Sequence, residues 1–372
     1  VAHPPFGHRN LLWKMQERNW NPVLRKTGSE IFTTDGHHYI VDLHLDSIPD
    51  PQQLDSAIRH LPGVVEHGLF LDTVNMVVAA GPDKVEIIAP IGFMQEAVSE
   101  NVYAGNAMSR RLFFQYGVLL PRSPFGHVDQ SIGKNTAAGN LGLIEPNVII
   151  KEYIEELTVD GVKMVFQNTP GTEAPAEMNT YFPDMKAFWA AENITGTVHN
   201  IYTLRGALVR DALEWSKQIN QALYRFGQEA EVMFASHSWP RWGNDRIQEV
   251  MRAQRDIYAN LNNEVLHLAN QGVTINEIHN VYHPPKSLQN SWAAHSYHGS
   301  EEHNSRAVIN RYLGYWDANP ATLIPLSPQD SAPLYVEMMG GAAKIIAKGK
   351  ELYDQGKYRH AQEILNKLVY AE

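Results

Sequence analysis

The sequence contains no cysteine, and this absence removes three kinds of chemistry. Disulfide bonds, thiolate metal ligands and cysteine nucleophiles are excluded, so any metal ion must be held by histidine and carboxylate side chains. Uninterrupted apolar runs of about 18 residues, the length that crosses a bilayer as a helix, are also missing. We therefore expect no membrane span, and metal chemistry only through nitrogen and oxygen ligands.

Clusters of basic residues are missing as well. The chain carries 31 Lys and Arg residues against 41 Asp and Glu residues, which gives a formal net charge of −10. A surface that follows nucleic-acid phosphates needs a basic patch, so we expect no nucleic-acid partner. The chain has 372 residues, of which 44% are hydrophobic. Because single cores stop growing near about 250–300 residues, this length predicts two or three domains.

Residues 1–84 alternate helix and strand signals. An amphipathic pattern covers residues 11–18, the alternating apolar positions of IVDLHLD at residues 40–46 predict a strand, and Asp50 before Pro51 is a good start for a helix. The strings PVLR, IVDLH and LPGVVEHGLF make this segment resemble the carboxy-terminal part of ribose-5-phosphate isomerase A. The catalytic strings of that family are absent here. The resemblance therefore implies a small α+β assembly domain without an isomerase site.

The character of the sequence changes near Val85. From there to the last residue, this chain resembles the zinc-dependent alkylsulfatases of the metallo-β-lactamase superfamily, in strings that include IIAPIGFM, AVSENVYAGNAMSRR, FQNTPGTEAPAEM, EVMFASHSWPRWG and YHGSEEHNSRAVINRYLGYWDANPATLIPLSP. The resemblance implies an α/β catalytic domain over residues 85–285, a partial αβ/βα sandwich. A helical region over residues 286–372 would follow and end as the start of a tetratricopeptide-like dimerisation domain.

Local patterns in this second part agree with mixed helices and strands. Asp160 and Gly161 supply the turn of a β-hairpin in LTVDGVKMVF. Amphipathic patterns predict helices over residues 204–226 and 244–270. Residues 342–372 predict a helix, a turn at residues 356–358 and a second helix. The expected fold class is therefore α/β together with α+β.

Three residues suggest half of a two-metal hydrolytic site. Glu173, Glu192 and His237 are expected where strands pass into loops, and carboxylates and histidines converging from such places can hold metal ions. The alkylsulfatase resemblance implies two zinc ions, with Glu173 on one, His237 on the other and Glu192 bridging both. The family's other four ligands belong to a His-x-His-x-Asp-His string that this sequence lacks, so tight zinc binding is not expected.

The same resemblance implies that Arg205 and His298 hold the sulfate group of an alkyl sulfate ester, which would be cleaved to an alcohol and sulfate. Alternatives remain for each residue. Arg205 would pair with Asp211 or stay solvated at the start of a helix, and His298 would pack against Trp292. Singly, Glu173, Glu192 and His237 also suit ordinary roles, namely a turn cap, a surface carboxylate and a loop histidine bonded to the backbone.

A second metal site is conceivable on the first strand, where Asp42, His44 and Asp46 share one face. For the whole chain we weigh an alkylsulfatase-type hydrolase, impaired by the missing ligands, against two alternatives: an inactive fusion that serves oligomerisation, and a protein derived from the isomerase. We expect a homodimer or higher homo-oligomer. The alkylsulfatase resemblance also implies a soluble, periplasmic or secreted protein.

Overall fold

The computed structural model describes residues 1–34, 37–45, 47–48, 50–62, 64–65, 86–133 and 142–371. The chain divides into two compact units, Val1–Val85 and Glu86–Glu372. Among the described helices, none combines the length and the apolar character needed to cross a bilayer. The end of the string LPGVVEHGLF, residues 66–70, lies outside the described residues, as does Asp46.

The first unit is a small α+β domain built around one central strand. Its elements are β1 (Ala2–His3), α1 (His8–Gln16), β2 (Pro22–Leu24), β3 (Lys26–Thr27), β4 (Glu30–Ile31), β5 (Tyr39–Leu43) and α2 (Pro51–Arg59). Strand β5 lies between β1 and β2 in an antiparallel sheet, and Val41 on β5 packs with Leu11 and Met15 of α1. The predicted helix start is confirmed, since the Asp50 carboxylate accepts a hydrogen bond from the Gln53 amide at 2.8 Å.

The second unit begins with short elements and then forms the main sheet. Its strands and early helices are β6 (Ile88–Pro90), α3 (Phe93–Val98), α4 (Gly105–Tyr116), β7 (Val148–Ile150), β8 (Ile154–Val159), β9 (Val162–Asn168), β10 (Met178–Phe182), β11 (Ala187–Trp189), α5 (Ala212–Ala222), β12 (Val232–Phe234) and β13 (Arg241–Trp242). A π-helical turn, Ser99–Tyr103, joins α3 to α4, and another, Leu223–Gly227, extends α5.

Six strands form the main sheet in the order β13-β12-β11-β10-β9-β8. All neighbours are antiparallel except β11 and β12, which run parallel. The hairpin between β8 and β9 turns at Asp160 and Gly161, which both have positive φ, 48° and 78°. Glycine tolerates this backbone region without strain, and aspartate is among the few other residues that visit it often. The predicted hairpin is therefore confirmed.

Helices follow the main sheet along the chain and continue to the end of its described part. They are α6 (Asn244–Asn270), α7 (Ile278–Val281), α8 (Lys286–Gln289), α9 (Glu301–Leu313), α10 (Pro328–Met338), α11 (Ala342–Asp354) and α12 (Tyr358–Val369). Phe188 and Met233 of the sheet share a buried core with Trp215 of α5 and Tyr258 of α6. The Trp215 and Tyr258 rings stack with centroids 4.5 Å apart, and both side chains are fully buried. This core fixes the strand ends from which the loops described below emerge.

The fold class expected from the sequence, α/β and α+β with a helical carboxy-terminal region, is confirmed. The helix predicted over residues 244–270 and the helix pair after residue 342 are confirmed too. The helix predicted over residues 204–226 is wrong in its first third, because α5 begins only at Ala212. Gly206 has φ +123°, outside the helical region, and Asp211 caps α5 by accepting a hydrogen bond from the Glu214 amide at 2.9 Å.

Candidate functional site

Acidic and histidine side chains converge from the loops at one edge of the main sheet. Glu173 lies in the loop between β9 and β10, Glu192 follows β11, and His237 follows β12. Because β11 and β12 run parallel, the loops that follow them leave the sheet at the same edge. Ala191, just before Glu192, has φ 47°, a conformation that non-glycine residues adopt only when the surroundings hold them there.

Glu192 stands at the centre of the cluster. Its Oε1 lies 3.0 Å from Nε2 of His199 and 3.0 Å from Nε2 of His237. The Glu173 carboxylate is 3.9 Å from the same His199 nitrogen. The side chain of His199 is 3% exposed and that of Glu173 is 12% exposed, so both side chains lie largely out of water. The structure thus brings Glu173, Glu192 and His237 together as the sequence suggested, and adds His199.

Both histidines are held in the same way. Nδ1 of His199 lies 3.0 Å from the Asn200 carbonyl, and Nδ1 of His237 lies 3.0 Å from the Ile132 carbonyl. A carbonyl only accepts hydrogen bonds, so each Nδ1 carries a hydrogen and each Nε2 faces Glu192. A metal-binding histidine is commonly oriented in this manner, by a hydrogen bond from its other ring nitrogen.

The acidic members are fixed by separate contacts. Arg210, whose side chain is 7% exposed, forms an ion pair with the Glu173 carboxylate and also donates to the Glu173 carbonyl. The chain beside Glu192 is anchored at Asn193, whose carbonyl accepts the Trp215 indole N–H at 2.8 Å. The amide of Asn193 in turn donates to Asn179 at 2.9 Å. The carboxylates are therefore pre-positioned by the core of the unit.

Electrostatics within the cluster are strongly coupled. Burial by itself would raise the pKa of Glu192, but hydrogen bonds from His199 and His237 outweigh it and hold that pKa well below its usual range. The hydrogen bond to Glu192 raises the pKa of His237. Glu177, in the same loop as Glu173, behaves in the opposite way: burial, and next the negative charge of Glu173, raise its pKa to about 8.

His298 sits beside this cluster and lines an open cleft of about 540 Å³. Its ring centroid lies 4.5 Å from that of His199, while Trp292 instead contacts His295. The expected packing of His298 against Trp292 is therefore wrong. Burial, with His199 as the next cause, lowers the pKa of His298 to about 3, so the ring is neutral at pH 7.

Arg205 occupies a loop and not the start of a helix. Its Nη1 lies 3.3 Å from the Glu100 carboxylate, and its backbone amide donates to the Gln115 side chain at 2.6 Å. Asp211 is paired with Arg311 at 2.8 Å, so the expected Arg205–Asp211 pair is wrong. The guanidinium of Arg205 is 30% exposed and already has an acidic partner.

The donor set fits one zinc ion better than two. Within the described part of the chain, one group of possible ligand residues has its atoms within 4.8 Å of one another: Glu173, Glu192 and His199. His237 joins it through Glu192. Zinc sites with an open position use three protein ligands from histidine and carboxylate, a number that three of these four residues would supply. A second ion would need further ligands, since each zinc takes three or four.

The strand of the first unit gives no comparable cluster. Asp42 is tied to Arg25 by two hydrogen bonds, one of them 2.9 Å from Nε, and the two side chains are 37% and 49% exposed. An arginine already neutralises this carboxylate. Neither Asp42 nor His44 belongs to the candidate ligand group found among the described residues.

His199 and Arg210 were missed by the sequence reasoning. His199 lies seven positions after Glu192 within the string AENITGTVHN, so its closeness in the chain was the available signal. Arg210 gave no signal, because it precedes a helix and its contact with Glu173 spans 37 positions. Both are recognisable only once the loops are folded together.

Comparisons with known proteins assign relatives to the two parts of the chain. Residues 274–372 match the family described as alkyl sulfatase dimerisation, and residues 2–84 match ribose 5-phosphate isomerase A. Over 289 residues the chain is 47% identical to a linear primary-alkylsulfatase from Pseudomonas sp, covering 78% of this chain and 43% of that protein. It is 45% identical over 289 residues to the alkyl/aryl-sulfatase BDS1 of Saccharomyces cerevisiae, covering 78% and 45%.

A solved structure gives the same result. The stereoselective inverting sec-alkylsulfatase Pisa1 from Pseudomonas sp. superposes with a TM-score of 0.75 at 43% identity, over 77% of this chain and 46% of that one. Ribose-5-phosphate isomerase A of Lactiplantibacillus plantarum is 47% identical over 85 residues, which is 22% of this chain and 37% of that protein. Both predicted resemblances are confirmed. The chain spans about half the length of the alkylsulfatases it matches.

Proposed function

We propose that the second unit carries an alkylsulfatase-type hydrolase site that cleaves alkyl sulfate esters to an alcohol and sulfate, with one zinc ion held by the ligands that this sequence supplies. The observation that carries this proposal is the Glu192 carboxylate, held 3.0 Å from Nε2 of both His199 and His237. The identity of 47% to an alkylsulfatase supports the substrate class.

The proposed metal ligands are Glu173, Glu192 and His237, which leave a fourth position open, and His199 lies beside them in contact with both carboxylates. When bound, zinc supplies Lewis acidity and lowers the pKa of water toward about 7. The chain's own contribution is to hold the ligands ready: Arg210 fixes Glu173, and backbone carbonyls orient both histidines. This arrangement limits the reorganisation that binding requires.

Arg205 and His298 are the proposed substrate-binding residues. A guanidinium offers several donors to a tetrahedral oxyanion, and Arg205 would exchange its partner Glu100 for the sulfate group. His298 lines the cleft as a neutral ring, because its pKa is lowered to about 3. We assign it a hydrogen-bonding role and not proton donation to the leaving group.

The proposal is tested by zinc stoichiometry on chelator-washed, zinc-reloaded protein, with sulfate release from dodecyl sulfate measured on the same sample. We expect one zinc per chain and slow release. His237→Ala should lose both, whereas His267→Ala, on α6, should keep both. Retention of two zincs would contradict the one-ion site, and absence of both zinc and release would contradict the hydrolase.

A second candidate function is oligomerisation without catalysis, and it has its own support. The family described as alkyl sulfatase dimerisation matches residues 274–372, within which Ile324 and Met338 are 89% and 86% exposed. Large exposed apolar side chains are typical of surfaces that associate. We propose that the chain forms a homodimer through this region. We also propose three domains, with limits at 1–84, 85–285 and 286–372. Light scattering on the native chain and on Met338→Glu tests it: the variant should be monomeric, and an unchanged mass would contradict this interface.

A further inference from the structure

A tight turn, residues 129–133, connects two histidines of the site. The Asp129 carboxylate accepts the Ser131 amide at 2.8 Å, and the Gln130 amide donates to the Gly133 carbonyl at 2.8 Å. Ser131 has φ 62°, so the turn adopts a backbone conformation that needs support from its surroundings. This support comes from the histidine contacts on both sides of the turn.

The turn contacts these histidines through adjacent residues. The Ile132 carbonyl lies 3.0 Å from Nδ1 of His237, and the Ser131 hydroxyl lies 2.9 Å from Nδ1 of His298. The amide of Asn200 donates to Nε2 of His298 at 2.8 Å. An amide nitrogen only donates, so Nε2 of His298 accepts from Asn200, and Nδ1 carries the hydrogen that is donated to Ser131. Both ring nitrogens of His298 are therefore engaged within the protein, so Nδ1 can donate to a ligand only by exchanging Ser131 for it.

Gln130 holds a side-chain donor that is both buried and unpaired. The residue is 7% exposed, and its side-chain nitrogen Nε2 is buried without a hydrogen-bond partner in the described part of the chain. It lines the 540 Å³ cleft beside His298 and Asn200. A buried donor left unpaired lowers stability, and native structures retain such groups chiefly where a ligand, an ion or water satisfies them.

The walls of the cleft indicate what this ligand is. Near Gln130 the lining is polar, with Ser131 and Asn200, while Val128, Leu204 and Tyr297 contribute apolar surface. A ligand with an oxygen-rich head and a hydrocarbon tail suits both kinds of wall. The cleft volume lies within the range of about 300–1,000 Å³ that small-molecule sites occupy.

We propose that Gln130 is a substrate-binding residue, whose side-chain amide turns toward this cleft and donates a hydrogen bond to a sulfate oxygen of an alkyl sulfate ester. The inference rests on the proposed function and adds to it a residue that contacts the head group. The unpaired amide lowers the stability of the free protein, and binding of the substrate removes this loss.

This cost gives a signature that a merely structural glutamine would not produce. Gln130→Met keeps the size of the side chain and removes the unpaired donor. Binding of hexyl sulfate, measured by titration calorimetry, should weaken about ten- to hundredfold, because a hydrogen bond to a charged group is lost. The unfolding temperature of the free variant should stay equal or rise. Gln130→Glu should weaken binding further by repelling the sulfate.

The control is Gln271→Glu at the end of α6, away from the cleft, which should bind hexyl sulfate as the native chain does. Unchanged affinity in Gln130→Met, or a lowered unfolding temperature together with weaker binding, would overturn the assignment. So would a native chain that does not bind hexyl sulfate. Sulfate release on the same samples separates the two ideas: a native chain that binds without release contradicts the hydrolase alone.

Discussion

Each unit of this chain places acidic side chains next to basic or histidine side chains, but the surroundings differ. In the first unit, Asp42 pairs with Arg25 on a strand surface where both side chains are more than one-third exposed. In the second, Glu192 meets two histidines at 3.0 Å behind a buried core. Solvent screens the electrostatic attraction within the first pair, whereas the interactions of the buried second group are screened much less. Convergence and burial, more than residue type, mark the candidate site.

The largest expected effect comes from breaking the buried cluster. Glu192→Ala removes the group that both histidines face, so zinc retention should fall by about 100-fold or more. Asp42→Ala in the first unit should leave zinc retention unchanged. Competition with a chromogenic chelator measures both. If the native chain and Glu192→Ala bound zinc with equal affinity, the ion would be held elsewhere. The contrast between the two units would then not hold.

The core behind the cluster should be the next most sensitive element. Trp215 is fully buried, stacks on Tyr258 and donates to the carbonyl next to Glu192. Trp215→Ala should lower the free energy of unfolding by about 3–5 kcal/mol. Trp292→Ala, at a position 67% exposed, should change it by less than about 0.5 kcal/mol. Denaturant unfolding of the two variants gives the comparison, and similar losses would mean that the core does not support the site as argued.

The pH dependence of stability provides a finer test of burial. The pKa of Glu177 rises from 4.5 to about 8 on folding, so between these values the native state binds more protons than the unfolded state. Stability of the metal-free protein should therefore fall as pH rises through this window, by at most about 1.4 kcal/mol per pH unit from this residue. Glu177→Gln should reduce the slope, whereas Glu156→Gln on the exposed hairpin should retain it. A slope that is unaffected by Glu177→Gln would contradict the assignment.

The comparison also explains which parts of the molecule sequence alone could predict. The hairpin at Asp160 and Gly161 and the helix over residues 244–270 depend on local turn chemistry and periodicity, which are readable in one dimension. Residues 204–211 carry a helical pattern but are not helical, because Arg210 turns inward to Glu173 and Asn200. Contacts between residues distant in sequence determine the conformation of that segment. The roles of His199 and Arg210 depend on the same kind of contact, so the sequence alone did not indicate them.

The smallest expected effect concerns the exposed ion pair between Arg25 and Asp42 in the first unit. Arg25→Ala removes an exposed ion pair, so the opening free energy of strand β5 should change by less than about 1 kcal/mol. Met15→Ala, at a fully buried position packed with Val41, should lower it by about 2–5 kcal/mol. Hydrogen exchange of peptides covering Tyr39–Leu43 measures both changes. If Arg25→Ala lowered the opening free energy as much as Met15→Ala, the ion pair of Asp42 would stabilise the unit as strongly as its core does. Exposure would then not distinguish the Asp42 pair from the Glu192 site.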